Sequence, residues 1–145
     1  MGFKQVDLVY PGASGPTAIS PSPKEGSLKI FQLSRTDTTA SLKAVLPADA
    51  SILGFLVYGV ASNAGTTATI SIGTTSANAN ELVNAQDVKT AGGMIIPTSS
   101  VNSANMPQIE GYPLGQDIQI YAKYAESGTA SSTGGPYKVA IWYVR

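Results

Sequence analysis

The residues that could carry chemistry in this chain are carboxylates, hydroxyls, lysines and tyrosines, because the sequence contains no histidine and no cysteine. This composition excludes the serine–histidine–aspartate triad, thiol nucleophiles, imidazole or thiolate zinc sites, and the usual general base near neutral pH. Asp37-Thr38-Thr39 lacks the glycine and the second copy that an aspartic protease needs, so we interpret it as a turn. With no recognisable carboxylate pair and no glycine-rich phosphate loop, we expect no enzymatic activity and no cofactor.

The same residues give little support for binding ions, nucleic acid or a membrane. Calcium takes oxygen ligands alone, but Asp117, or Asp87 near Asn84, lies in no Asp-x-Asp cluster, so we predict no metal. Nine basic residues balance nine acidic ones and are scattered singly, without the basic surface that phosphates require. The longest apolar run, 52–61, is about half a membrane helix, and the first residues do not form a signal peptide.

Contact with another protein is the activity that the composition favours. Charged residues are 12% of the chain, which leaves a surface of hydroxyls, amides and small apolar groups with little protection against association. We divide the chain into an extended, proline-rich N-terminal arm at 1–26 and one domain at 27–145; an edge strand followed by a loop is the alternative for the first part. The candidate partner-binding residues are Val6, Leu8, Tyr10, Pro11, Pro16, Ile19, Pro21 and Trp142.

The domain is predicted to be all-β. Short apolar or alternating runs predict strands at 28–33, 41–46, 52–61, 66–73, 94–96, 117–124 and 137–144, while 81–88 suits either a strand or one helical turn. The run 52–61 is apolar on both faces, as in a central strand covered on each side. Turn-forming residues at 62–65 and 126–136 predict hairpins between the strands that they join.

Alternation also assigns faces to the side chains of the last two strands. The even positions of 117–124, which end at Tyr124, and the set Val139, Ile141 and Tyr143 are expected to point inward. Trp142 then points to the other face, as either a binding anchor or a packing residue. Seven to nine short strands describe an antiparallel β-sandwich or barrel; we favour a jelly roll, with an immunoglobulin-like sandwich second.

Two segments resemble a known group of proteins. The runs LKAVLPADASIL (42–53) and ASNAGTTATISIGTT (61–75), together with the closing strands at 117–124 and 137–145, resemble the head decoration (cement) proteins of tailed bacteriophages. The resemblance implies a small jelly-roll domain, made in the host cytoplasm, that forms a homodimer or homotrimer. It would lie on the outer capsid surface and bridge subunits of the major capsid protein, with no catalytic residue.

A carbohydrate- or receptor-binding β-sandwich of a phage fibre is the alternative function. Such a module should expose Trp142, or a loop tyrosine such as Tyr112, in a concave site. A cement protein should instead cover apolar residues with protein.

Overall fold

Eight β-strands make up the part of the chain that the computed structural model describes, which is residues 26–77, 79–89, 93–97 and 115–145. Within these ranges there is no helix, and 81–88 contains a strand. The strands are β1 (Gly26–Leu33), β2 (Ser41–Leu46), β3 (Ser51–Tyr58), β4 (Thr67–Gly73), β5 (Val83–Asp87), β6 (Gly93–Pro97), β7 (Ile118–Ser127) and β8 (Tyr137–Val144). Apart from Gly26, which begins β1, the predicted arm lies outside the described residues.

The strands form two four-stranded antiparallel sheets, in the orders β1-β8-β3-β6 and β2-β7-β4-β5. Each strand pairs with its counterpart from the other end of the series: β1 with β8, β2 with β7, β3 with β6, and β4 with β5. This is the connectivity of one long hairpin rolled into a sandwich, the jelly roll. The favoured fold is therefore confirmed, and the immunoglobulin-like alternative, with its different strand order, is wrong.

Two predicted hairpins are wrong. β3 and β4 lie in different sheets, and so do β7 and β8, so the segments 59–66 and 128–136 cross from one sheet to the other. Turn-forming composition shows that a strand ends, but it does not show whether the chain returns beside that strand or passes over the core. Among the described strands, only β4 and β5 are both consecutive in the chain and paired.

The core lies between the two sheets and is built from the alternation that the sequence shows. Ile118, Ile120, Ala122 and Tyr124 of β7 are buried, which confirms the inward set of that strand. On β8, Val139 and Ile141 are buried and Tyr143 is partly buried against the same cluster. The two sheets therefore share one apolar core, with side chains from both inner faces.

The run 52–61 was predicted to be a central strand covered on both faces; the central position is confirmed, but cover on both faces is wrong. β3 is central, between β8 and β6, and its inward residues Phe55 and Val57 are buried. On its outward face, Leu56 is only half-buried and Tyr58 is exposed. In the described part of the chain no layer covers that face, which leaves apolar side chains on the surface.

Candidate docking face

The outer surface of the β1-β8-β3-β6 sheet carries neighbouring apolar side chains from three strands. The strand register places Leu28 beside Trp142, and Ile30 beside Ala140, which in turn lies beside Leu56. Leu28 is 57% exposed, Ile30 52% and Trp142 47%. We call this surface the Trp142 face; it consists of Leu28, Ile30, Leu56, Tyr58, Ala140 and Trp142.

A cavity of about 430 Å³ opens on the Trp142 face, and its lining consists of Gly26, Leu28, Leu56 and Trp142. A Cβ atom at Gly26 would lie 2.7 Å from Nε1 of Trp142, so the indole rests directly against the backbone where β1 begins. Any larger residue at position 26 would require the indole to shift. Because the lining side chains are apolar, the cavity suits an apolar group from a partner.

The outer surface of the other sheet is more polar. Thr67 and Thr69 of β4 lie there, and β7 contributes Gln119 and Lys123 on the same side. The large exposed apolar residues of this sheet in the described ranges are Leu42 and Val45, both on the edge strand β2. The two faces of the sandwich therefore differ in kind, and the Trp142 face is the better docking surface.

The size of the Trp142 face supports the same conclusion. Leu28, Ile30, Tyr58 and Trp142 are each about half exposed, and together they leave roughly 400 Å² of side-chain surface in water. The largest apolar patch on a typical monomer covers about 300–600 Å² and is often functional. A specific interface covers about 800 Å² per partner, so the Trp142 face could form the centre of one.

A second cluster ties the loops together at one end of the sandwich. The rings of Tyr124 and Tyr137 stack with centroids 6.0 Å apart. The hydroxyls of Ser62 and Tyr124 are hydrogen bonded at 2.9 Å, and Tyr124 donates to a carboxylate oxygen of Glu126 at 3.2 Å. The hydroxyl of Tyr137 is buried without a hydrogen-bond partner, and burial raises its pKa even though the Ser62 hydroxyl nearby opposes this.

Glu126 completes the cluster as an acceptor. The backbone N–H of Ser131 donates to Glu126 at 3.0 Å, and hydrogen bonding from Ser131 holds the pKa of this carboxyl below its usual value. Arg35 crosses from the β1–β2 loop and donates to the carbonyl oxygens of Ser131 and Ser132 at 2.8 and 3.0 Å. Each charged group is used to hold a loop, so we assign this cluster a structural role, one that sequence patterns did not indicate.

The described residues give no support to the other sites considered from the sequence. In the described ranges no group of three or more acidic residues is placed to hold a metal ion, and this includes Asp87 and Asp117. The described residues also contain no helix of the length and apolarity that crossing a bilayer requires. Asp37 accepts a hydrogen bond from the backbone N–H of Ser34 at 2.7 Å, in the turn that was predicted there.

Of the candidate partner-binding residues, Trp142 is the one that the structure describes, and it lies on the exposed face that alternation predicts. Val6, Leu8, Tyr10, Pro11, Pro16, Ile19 and Pro21 lie outside the described residues, as does Tyr112. Sequence analysis missed Leu28, Ile30 and Leu56 as partners of Trp142. Their signal was present: β1 and β3 carry large apolar residues at both odd and even positions, whereas a strand with one face in water alternates.

Comparison with known proteins gives a likeness of fold. No protein-family model matches the chain, and no curated protein matches its sequence. Among solved structures, a chain of the cyanophage Pam1 capsid asymmetric unit is similar, with a TM-score of 0.57 and 18% sequence identity. The match covers 99% of this chain and 96% of that chain.

Proposed function

We propose that this chain is a virion structural protein that decorates the outside of a phage head. The observation that carries the proposal is the full-length likeness to a chain of a phage capsid asymmetric unit. The match extends over 99% of this chain and 96% of that chain, so the likeness is not confined to one segment of either. Fold alone does not determine function, so the proposal also needs support from the surface.

The Trp142 face supplies that support. It is an apolar surface, bordered by Lys138 beside Tyr58, on a chain in which charged residues are only 12%. Another protein can bury such a surface favourably, because burial of apolar area drives association and few charges must be desolvated. In this proposal the chain contacts the major capsid protein and other copies of itself, and bridges neighbouring shell subunits.

The carbohydrate-binding alternative is less well supported by the cavity. Trp142 is exposed beside a concave site, as that alternative requires. A sugar site, however, combines an aromatic ring with polar side chains that fix the hydroxyl groups. Among the described residues, the cavity offers Gly26, Leu28 and Leu56 beside the indole, and none of these supplies such a polar side chain. We also propose that the chain is not an enzyme, since it has neither histidine nor cysteine.

The proposal is tested by mixing purified chain with heads of its source phage from which the chain has been removed. We expect saturable co-sedimentation with heads and a higher melting temperature of the shell, because a ligand that binds only the assembled state stabilises it. A binding curve no different from that of an unrelated β-sandwich would contradict the proposal. Binding to a glycan array instead of heads would favour the fibre alternative.

A further inference from the structure

The cavity beside Trp142 lies where the N-terminal segment of the chain enters the domain. Gly26 is both the first residue of β1 and part of the cavity lining. β1 is also an edge strand, paired on one side with β8 and with no partner on its other side in the described part of the chain. A free strand edge beside an apolar cavity is the arrangement that accepts an added strand, with backbone bonds for affinity and a cavity for a side chain.

We propose that this edge and cavity are filled by residues 5–10 of a second copy of the chain. This segment, Gln5-Val6-Asp7-Leu8-Val9-Tyr10, places Val6, Leu8 and Tyr10 on one side when it is extended. Six extended residues reach about 20 Å, which fits beside the eight residues of β1. The three side chains are apolar, as the lining of the cavity is.

The connection between the segment and the domain favours a second copy over the same copy. Residues 11–25 contain Pro11, Pro16, Pro21 and Pro23, which favour an extended path. At about 3.1 Å per residue, this connection carries the segment some 45 Å from the cavity at its base. If each copy gives its segment to the next, a closed dimer or trimer results. This inference does not depend on the proposed function.

Trp142 makes the inference directly measurable, because it is the single tryptophan of the chain and its emission reports on the cavity. Two full-length variants provide the test. Leu8→Lys damages the segment and leaves the cavity intact. Leu28→Lys with Trp142→Phe damages the cavity, leaves the segment intact and has no tryptophan emission.

Each variant alone should associate at least about tenfold more weakly than the natural chain, because each loses at least one buried leucine contact per interface. After mixing, the intact segment of one variant should enter the intact cavity of the other. Light scattering should then show mixed oligomers, and Trp142 emission should move to shorter wavelength and saturate. Leu42→Lys is the matched control: Leu42 is 48% exposed on the edge strand of the other sheet, and this variant should associate normally.

Several results would overturn the inference. A mixture in which Trp142 emission and mass stay unchanged would exclude exchange between copies. A monomeric natural chain with shielded Trp142 would place the segment in its own cavity. If Trp142 of the Leu8→Lys variant became shielded at high concentration without the second variant, two Trp142 faces would be packing against each other directly. None of these measurements involves heads, so they are independent of the test of head binding.

Discussion

Tyr124 and Tyr137 stack at the loop end of the sandwich, and we predict that changing each to phenylalanine has opposite effects on the free energy of unfolding. Both side chains are fully buried and both substitutions delete a single hydroxyl. The hydroxyl of Tyr124 is hydrogen bonded to Ser62 at 2.9 Å and to Glu126 at 3.2 Å. The hydroxyl of Tyr137 is buried without a partner.

The magnitudes follow from what each substitution leaves behind. Tyr124→Phe leaves the buried hydroxyl of Ser62 without its tyrosine partner, which costs about 1–3 kcal/mol. Tyr137→Phe removes a desolvated hydroxyl that has no hydrogen-bond partner, and should leave stability unchanged or raise it by up to about 1 kcal/mol. The two variants should therefore differ by about 2 kcal/mol, which corresponds to roughly 5–8 °C in Tm for a chain of this size.

Urea unfolding at pH 7, followed by circular dichroism, measures both values directly. Each substitution removes one hydroxyl and keeps the ring, so the comparison isolates the hydroxyl groups. Ring stacking is kept in each variant and cancels between them. Equal destabilisation of the two variants would refute the reasoning, because it would mean that the Tyr137 hydroxyl has a partner of its own.

Three further predictions concern charge and backbone. Asp37→Asn should lower the free energy of unfolding by about 1 kcal/mol, and because the Ser34 N–H lowers the pKa of Asp37 in the folded chain, this variant should lose less stability below about pH 4. Asp49 is more exposed, so Asp49→Asn should lower the free energy of unfolding by less than about 0.5 kcal/mol. Equal losses in the two variants would contradict this prediction. Burial raises the pKa of Tyr137, so the folded chain holds that proton more tightly and stability should fall as the pH rises past about 10. Urea midpoints between pH 8 and 11 should fall less in Tyr137→Phe, and parallel curves would count against the assignment. Gly128→Ala should lower Tm more than Gly115→Ala: both have positive φ, at 81° and 78°, but a Cβ at Gly128 would lie 2.7 Å from a backbone nitrogen, whereas that at Gly115 meets nothing within 4 Å.

Strand positions and the inward side of each strand were predictable, because the period of two in runs such as 117–124 is a local property. The buried set of β7 and the exposure of Trp142 both followed from it. Sheet membership was not predictable at the turns. Segments 59–66 and 128–136 have the composition of hairpin turns, yet each crosses the core, and this choice depends on which faces are covered elsewhere in the fold.

The cavity could not be predicted from the sequence for a related reason. Its walls come from β1, β3 and β8, and the contact between Leu28 and Trp142 exists only because the two ends of the chain pair in one register. A shift of one residue would turn Leu28 inward and Lys29 outward. The apolar character of both faces of 52–61 predicts cover on each side, but among the described residues no layer of this chain covers the outward face.

The Trp142 face also explains why assembly should matter to the proposed function. Burying roughly 400 Å² of apolar surface contributes about 10 kcal/mol before costs, and association of two proteins costs about 4–15 kcal/mol. A single contact of this size is therefore near balance, so isolated copies should separate readily. In a closed trimer three contacts form for two losses of translational freedom, and linked contacts with a shell raise avidity by about 10² to 10⁴. The marginal strength of one face thus favours a chain that binds weakly alone and firmly as an oligomer on a repeating surface.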